Sequence, residues 1–197
     1  MNSSIGGPSA PDSGFHRLPS VAGSTMLAVQ PCEVPVNTLL HSYKVGAGYA
    51  DCYMIDIPRS VTQREFVAAF YTSALFKVER TILKYLAARS ATDADAHQLA
   101  AGNATKFSAW AVEGQSTSEL LLADFTGRTR SWLMASQIPG SSTGTTTRLY
   151  FGSAVLPPKS GSTAKAGMGW LFHALLGFHR LYSRLLLGAA SRRVGSV

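Results

Sequence analysis

Six side chains carry most of the chemical potential of this 197-residue chain: Trp110, Arg130, Trp132, Tyr150, His179 and Tyr182. Large aromatics with an arginine among them suit a cavity for a small hydrophobic or amphipathic ligand. The rings give apolar walls, and the cation selects an anionic or carbonyl-bearing head. Arg148 offers the same handle as Arg130. Core packing accounts for two of the aromatics without any ligand. His179 lies on the flank of an apolar helical arc, where a hydrogen-bonded core histidine is the simpler role. Facing a cavity, its protonation would matter to whatever is bound there.

The patterns that would specify a reaction fail on their surroundings. Gly140-Ser-Ser142-Thr-Gly144 has the spacing of a nucleophile elbow, but its flanks read as strands and no Asp or Glu follows Ser142. The stretch Gly161–Gly169 holds Lys165 and precedes a helix, where backbone N–H groups favour anions. It lacks both the Lys-Ser/Thr ending of a P-loop and the G-x-G-x-x-G spacing. His41, His97, His173 and His179 do not stand at i, i+4, and no cysteine pair has zinc spacing, so no metal site and no cofactor are expected. No reaction is legible.

The elements that would position these residues read as α+β. Tyr49–Ile57 alternates as a strand and stops at Pro58. Thr62 and Glu65 form a capping box that opens a helix at Gln63, and helical spacing continues to Arg89 with a break near Thr72–Phe76. Ser90–Lys106 reads as a loop or short helix. The period then changes to two in Phe107–Glu113, Glu119–Phe125, Arg128–Ile138 and Thr146–Leu156, separated by short turns that call for antiparallel hairpins. A two-residue turn at Thr126-Gly127 sets Ala123 opposite Arg130 and Leu121 opposite Trp132, putting Glu119, Leu121, Ala123, Arg128, Arg130, Trp132 and Met134 on one face. That mixed face suits a cavity wall.

The longest apolar-periodic run is Gly169–Arg193. Leu171, Leu175, Phe178, Tyr182 and Leu185 form its central stripe, with Leu181 and Leu186 on its flanks and Arg180, Arg184 and Ser191 opposite. As a membrane span it is nearly neutral: nine large apolar residues at roughly −0.5 kcal/mol each are offset by Arg180 and Arg184 at about +2.5 kcal/mol each. The expectation is therefore a helix laid on the sheet.

Residues 1–30, rich in Ser, Gly and Pro, read as a disordered tail, 31–193 as a single domain and 194–197 as a frayed end. The tail lacks the charged start and apolar run of a signal peptide, and Cys32 and Cys52 make no disulfide framework, so a cytoplasmic setting is expected. Charge is lopsided: residues 1–124 carry −2 and residues 125–197 carry +9 without one acidic residue. The basic residues are spread singly, which argues against nucleic acid and leaves an anionic ligand, or a membrane-surface or protein-interaction role for the basic C-terminal half.

The blocks GRTRSWL (Gly127–Leu133), LYFGSAVLP (Leu149–Pro157) and LLGFHRLYSRLLL (Leu175–Leu187) resemble a bacterial family of unknown function. That family is similar to the START-like, or SRPBCC, helix-grip superfamily, in which an antiparallel sheet wraps a long C-terminal helix around a hydrophobic cavity. The resemblance implies hydrophobic ligand binding between sheet and helix, with cyclase or hydrolase activity in some members. It carries over no catalytic residue; the enzyme it would suggest is of cyclase or dehydratase type, with His179 and Arg130 polarising a bound carbonyl.

Overall fold

The computed structural model describes residues 28–45, 49–78, 91–139, 145–156 and 169–195, with side chains in the last helix described from Leu181 onward. The Gly140–Gly144 motif, the Gly161–Met168 loop, residues 1–27 of the tail and the side chain of His179 lie outside the described residues.

Among the described residues, seven strands form one antiparallel sheet: β1 (Gln30–Pro31), β2 (Tyr49–Ile57), β3 (Lys106–Phe107), β4 (Trp110–Gln115), β5 (Glu119–Asp124), β6 (Thr129–Ile138) and β7 (Thr146–Val155). Their order is β1-β2-β7-β6-β5-β4-β3, an open sheet with the short strands at its borders. The helices with described bounds are α1 (His41–Val45), α2 (Gln63–Tyr71), α3 (Asp93–Ala100) and the long α4 (Gly169–Gly195). The protein is thus α+β, an antiparallel sheet with a C-terminal helix against it.

Local chemistry explains most boundaries. Thr62 and Glu65 form the expected capping box at the start of α2. The helix breaks at Thr72–Ser73, and a helical turn resumes over residues 74–78. The Ala/Asp-rich stretch after Ser90 contains a capped helix, α3, whose start is a second capping box between Thr92 and Asp95. The turn after β5 is wider than two residues. Gly127 takes φ 69°, and the Asp124 carboxylate accepts from Arg128 N–H at 2.8 Å and Thr129 N–H at 2.9 Å. The register beyond it is the one the turn requires, Ala123 opposite Arg130 and Leu121 opposite Trp132. The expected strand from Phe107 to Glu113 is instead β3 and β4, folded back at Ser108, which has φ 53°, so that Phe107 faces Trp110.

The two faces of the sheet are covered differently. On the helix face, Tyr53, Ile55, Leu122, Leu133, Leu149 and Phe151 pack against α2, α3 and α4. An aromatic knot fills the space: the Phe70 ring stands 4.9 Å from Phe151 and 5.1 Å from Tyr71, and Tyr71 stands 5.1 Å from Phe107. Among the described residues, the region between α2 and the sheet is occupied by side chains packed in this way. At the start of β7, the buried Thr147 hydroxyl accepts from Val61 N–H at 2.9 Å and donates to Arg59 C=O at 2.8 Å, tying the entry to α2 onto the sheet.

The opposite face is covered by a strap, residues 28–45, that passes around the β2 border. Val29 packs on the helix-face core near Gly188 of α4, whereas Val34, Leu40 and Tyr43 join Cys52, Leu121, Trp132 and Ala154 on the other side. Residues 28–30 therefore belong to the fold and not to a tail. The strap lies so close that a Cβ on Gly152 would sit 2.4 Å from Leu40 Cδ2, 3.0 Å from the Asp51 carbonyl and 3.1 Å from the Trp132 ring. Gly152→Ala is expected to destabilise the protein by about 1–3 kcal/mol through overpacking, read as a lower urea midpoint at unchanged m-value.

Helix α4 is rotated relative to its apolar arc. Ser183, Leu186, Leu187, Ala190, Ser191 and Val194 are buried, while Leu181 is 57% and Leu185 49% exposed. Small residues at 183, 190 and 191 let the helix settle near the sheet, where Leu185 would hold it off. Val194, placed by the sequence reading in a frayed end, is packed at 3% exposure within the helix.

Candidate functional site

The six sequence candidates do not converge on one cavity. Arg130, Trp132 and Tyr150 lie on the strap face, away from α4, whereas Trp110 and Tyr182 border the helix-face core. His179 belongs to α4. The cause is register: alternation puts Arg130, Trp132 and Tyr150 together, but the layer above them is the strap.

There they hold the fold. Trp132 is fully buried, its ring 6.1 Å from Tyr150, and its Nε1–H donates to Glu119 Oε2 at 2.8 Å. The same oxygen accepts the Leu39 N–H at 2.8 Å, so one carboxylate joins β5, β6 and the strap. Arg130, 9% exposed, pairs with Glu113 at 2.7 Å, donates to the Gly127 carbonyl at 2.8 Å and stacks its guanidinium 4.9 Å over the Tyr43 ring. Burial and a hydrogen bond to Glu113 push the Tyr43 phenol above its ordinary pKa. Arg148 forms a bidentate pair with Asp56 across β7 and β2, at 2.7 and 2.8 Å, which holds its pKa above the usual arginine value. With these partners, neither arginine is a vacant ligand handle.

Space for a ligand exists instead at the β2 border. A groove of about 510 Å³ runs between the strap, the first half of β2 and the outer side of α4. Tyr49, Asp51 and Tyr53 line it from the sheet, Leu181 and Arg184 from the helix, and Cys32 from the strap. It forms because β1 pairs only with Tyr53 and Met54, and among the described residues no strand continues past them along β2. Alternation in Tyr49-Ala-Asp51-Cys-Tyr53 turns two phenols and a carboxylate to the helix side. Asp51 accepts from the Ser153 hydroxyl at 2.5 Å, with the Tyr49 and Tyr53 hydroxyls 3.3 and 3.4 Å away. The exposed Leu181 and the Arg184 guanidinium supply an apolar wall and a cation opposite. This size falls within the range of small-molecule sites. Its sheet side was legible as a strand pattern; its helix side depends on the rotation of α4, for which the sequence carries no signal.

Among the described residues no group of three or more His, Cys, Asp and Glu side chains comes together as a metal site. No helix among them is long and apolar enough to cross a membrane. No protein-family model, curated protein or solved structure matches the chain.

Proposed function

We propose that this protein binds a small amphipathic molecule with an anionic head in the groove between β2 and α4. The groove itself carries the reading: about 510 Å³, with Tyr49 and Leu181 as apolar surface and Arg184 as the cation. A helix-grip, START-like relationship belongs to the same proposal, supported by an antiparallel sheet with a long C-terminal helix. The ligand sits at the sheet border, since aromatic side chains occupy the space between α2 and the sheet. A cytoplasmic setting is part of the proposal, on the ground that two cysteines make no disulfide framework.

The enzyme reading draws less support. It needs Arg130 beside a substrate carbonyl, and Arg130 is buried against Glu113 and Tyr43 on the strap face. A membrane-surface reading has one observation in its favour, Leu181 and Leu185 exposed on either side of Arg184.

Titration with dodecanoate, displacing the fluorescent anion anilinonaphthalene sulfonate, tests the proposal. One saturable site is expected, weakened at least tenfold (about 1.4 kcal/mol) by Arg184→Glu, with the thermal midpoint unchanged because Arg184 is exposed. Absence of saturable binding, or affinity indifferent to Arg184→Glu, would overturn it. Binding only to anionic vesicles, lost in high salt, would favour the membrane-surface reading.

A further inference from the structure

The two cysteines, 20 residues apart in sequence, meet at the strap. Their Sγ atoms are 3.3 Å apart, and Cys32 N–H donates to the Cys52 carbonyl at 2.9 Å, extending the β1–β2 ladder by one rung. Directly opposed residues of antiparallel strands have Cα atoms about 4.5–5.5 Å apart, inside the window of about 4.4–6.8 Å that a disulfide requires. Bond formation needs the sulfurs to close by about 1.2 Å, to roughly 2.05 Å. Both residues are free thiols here.

We propose that Cys32 and Cys52 are a site of reversible oxidation, in which an intramolecular disulfide formed by a peroxide fastens the strap to β2. The two thiols have different surroundings. Both border the groove, but Cys52 is 3% exposed whereas Cys32 is half-buried, so a small oxidant entering the groove meets Cys32 first. Contact with Cys52 lowers the Cys32 pKa and the positive field of Arg148 adds to this; the same contact and burial raise Cys52. Cys32 is therefore the attacking sulfur and Cys52 the resolving one.

The step balances without a further reactant. The Cys32 thiolate attacks one oxygen of the peroxide, the O–O bond breaks, hydroxide leaves and a sulfenic acid remains. The Cys52 thiol attacks that sulfur, the Sγ–Sγ bond forms and water departs, while hydroxide takes up the proton Cys32 had lost. The pair yields two electrons and two hydrogens to the peroxide, and a dithiol reductant returns them. The proposal does not rest on the identity of any ligand in the groove, and its test uses the protein without added ligand.

Hydrogen peroxide added to the reduced full-length protein tests it. Intact mass is expected to fall by about 2 Da, iodoacetamide to add to neither cysteine, and peptide mapping to show a Cys32–Cys52 link within one chain. With Cys52→Ser, dimedone is expected to trap the sulfenic acid on Cys32; with Cys32→Ser, Cys52 stays unlabelled in the native state. Two thiols still alkylated after peroxide, a link between chains, or a dimedone adduct on Cys52 in Cys32→Ser would overturn the proposal. The wild-type mass decides the intramolecular link even where a variant fails to fold.

Discussion

Replacing Phe70 with alanine is expected to remove about 3–5 kcal/mol of stability, a large part of what a domain of this size has. The ring is 1% exposed and sits in the middle of the aromatic knot, 4.9 Å from Phe151 on the sheet and 6.2 Å from both Phe66 and Phe76. Its neighbours come from α2, the following helical turn and β7, so no single element can collapse into the space left behind. Phe70→Leu keeps much of the volume and is expected to lose less than half as much. Urea unfolding followed by circular dichroism distinguishes the two. Equal losses for both variants would mean that ring geometry, not volume, holds α2 to the sheet.

Glu119→Ala is expected to cost about 3 kcal/mol by a different route. It deletes the oxygen that accepts from both Trp132 Nε1–H and Leu39 N–H, leaving two donors beneath the strap without that acceptor. The strap should loosen as the stability falls. A red shift of tryptophan emission and new protease cleavage between Glu33 and Lys44 are the expected signs. Glu119→Gln retains a carbonyl acceptor and is expected to recover part of the loss. If Glu119→Ala left emission and cleavage unchanged, the strap would be held by Leu40 and Val34 packing alone.

The sequence disclosed pairing better than layering. The Thr126-Gly127 turn correctly set Leu121 opposite Trp132 because a hairpin register follows from turn position. Period two then says which residues share a face, but nothing about what covers it. Arg130 and Trp132 are covered by Val34, Leu39, Leu40 and Tyr43, whose irregular spacing between Pro31 and Tyr43 has neither the helical nor the strand period. The phase of α4 was misjudged for a related reason. Large apolar residues draw the apparent apolar arc, yet closeness to the sheet selected Ser183 and Ala190 for burial and left Leu185 outside. Helix α3 did have a signal, the Thr92–Asp95 box, hidden in a segment whose alanines and aspartates carry little helical periodicity. The groove combines these blind spots, since it depends on where the strap crosses and on how α4 is turned.

The short strands at the two borders have a consequence for how the molecule behaves in a crowd. A strand exposed along its length is a template on which another chain can continue the sheet. Here β1 is two residues long and one of them is Pro31, which has no N–H to offer; β3 is two residues long and carries the exposed Lys106. An incoming strand that meets β1 finds at most one main-chain donor, and one that meets β3 finds an ammonium group. These two strands therefore discourage growth of the sheet by strand addition where they lie, beside Tyr53–Met54 on one border and beside Trp110–Ala111 on the other.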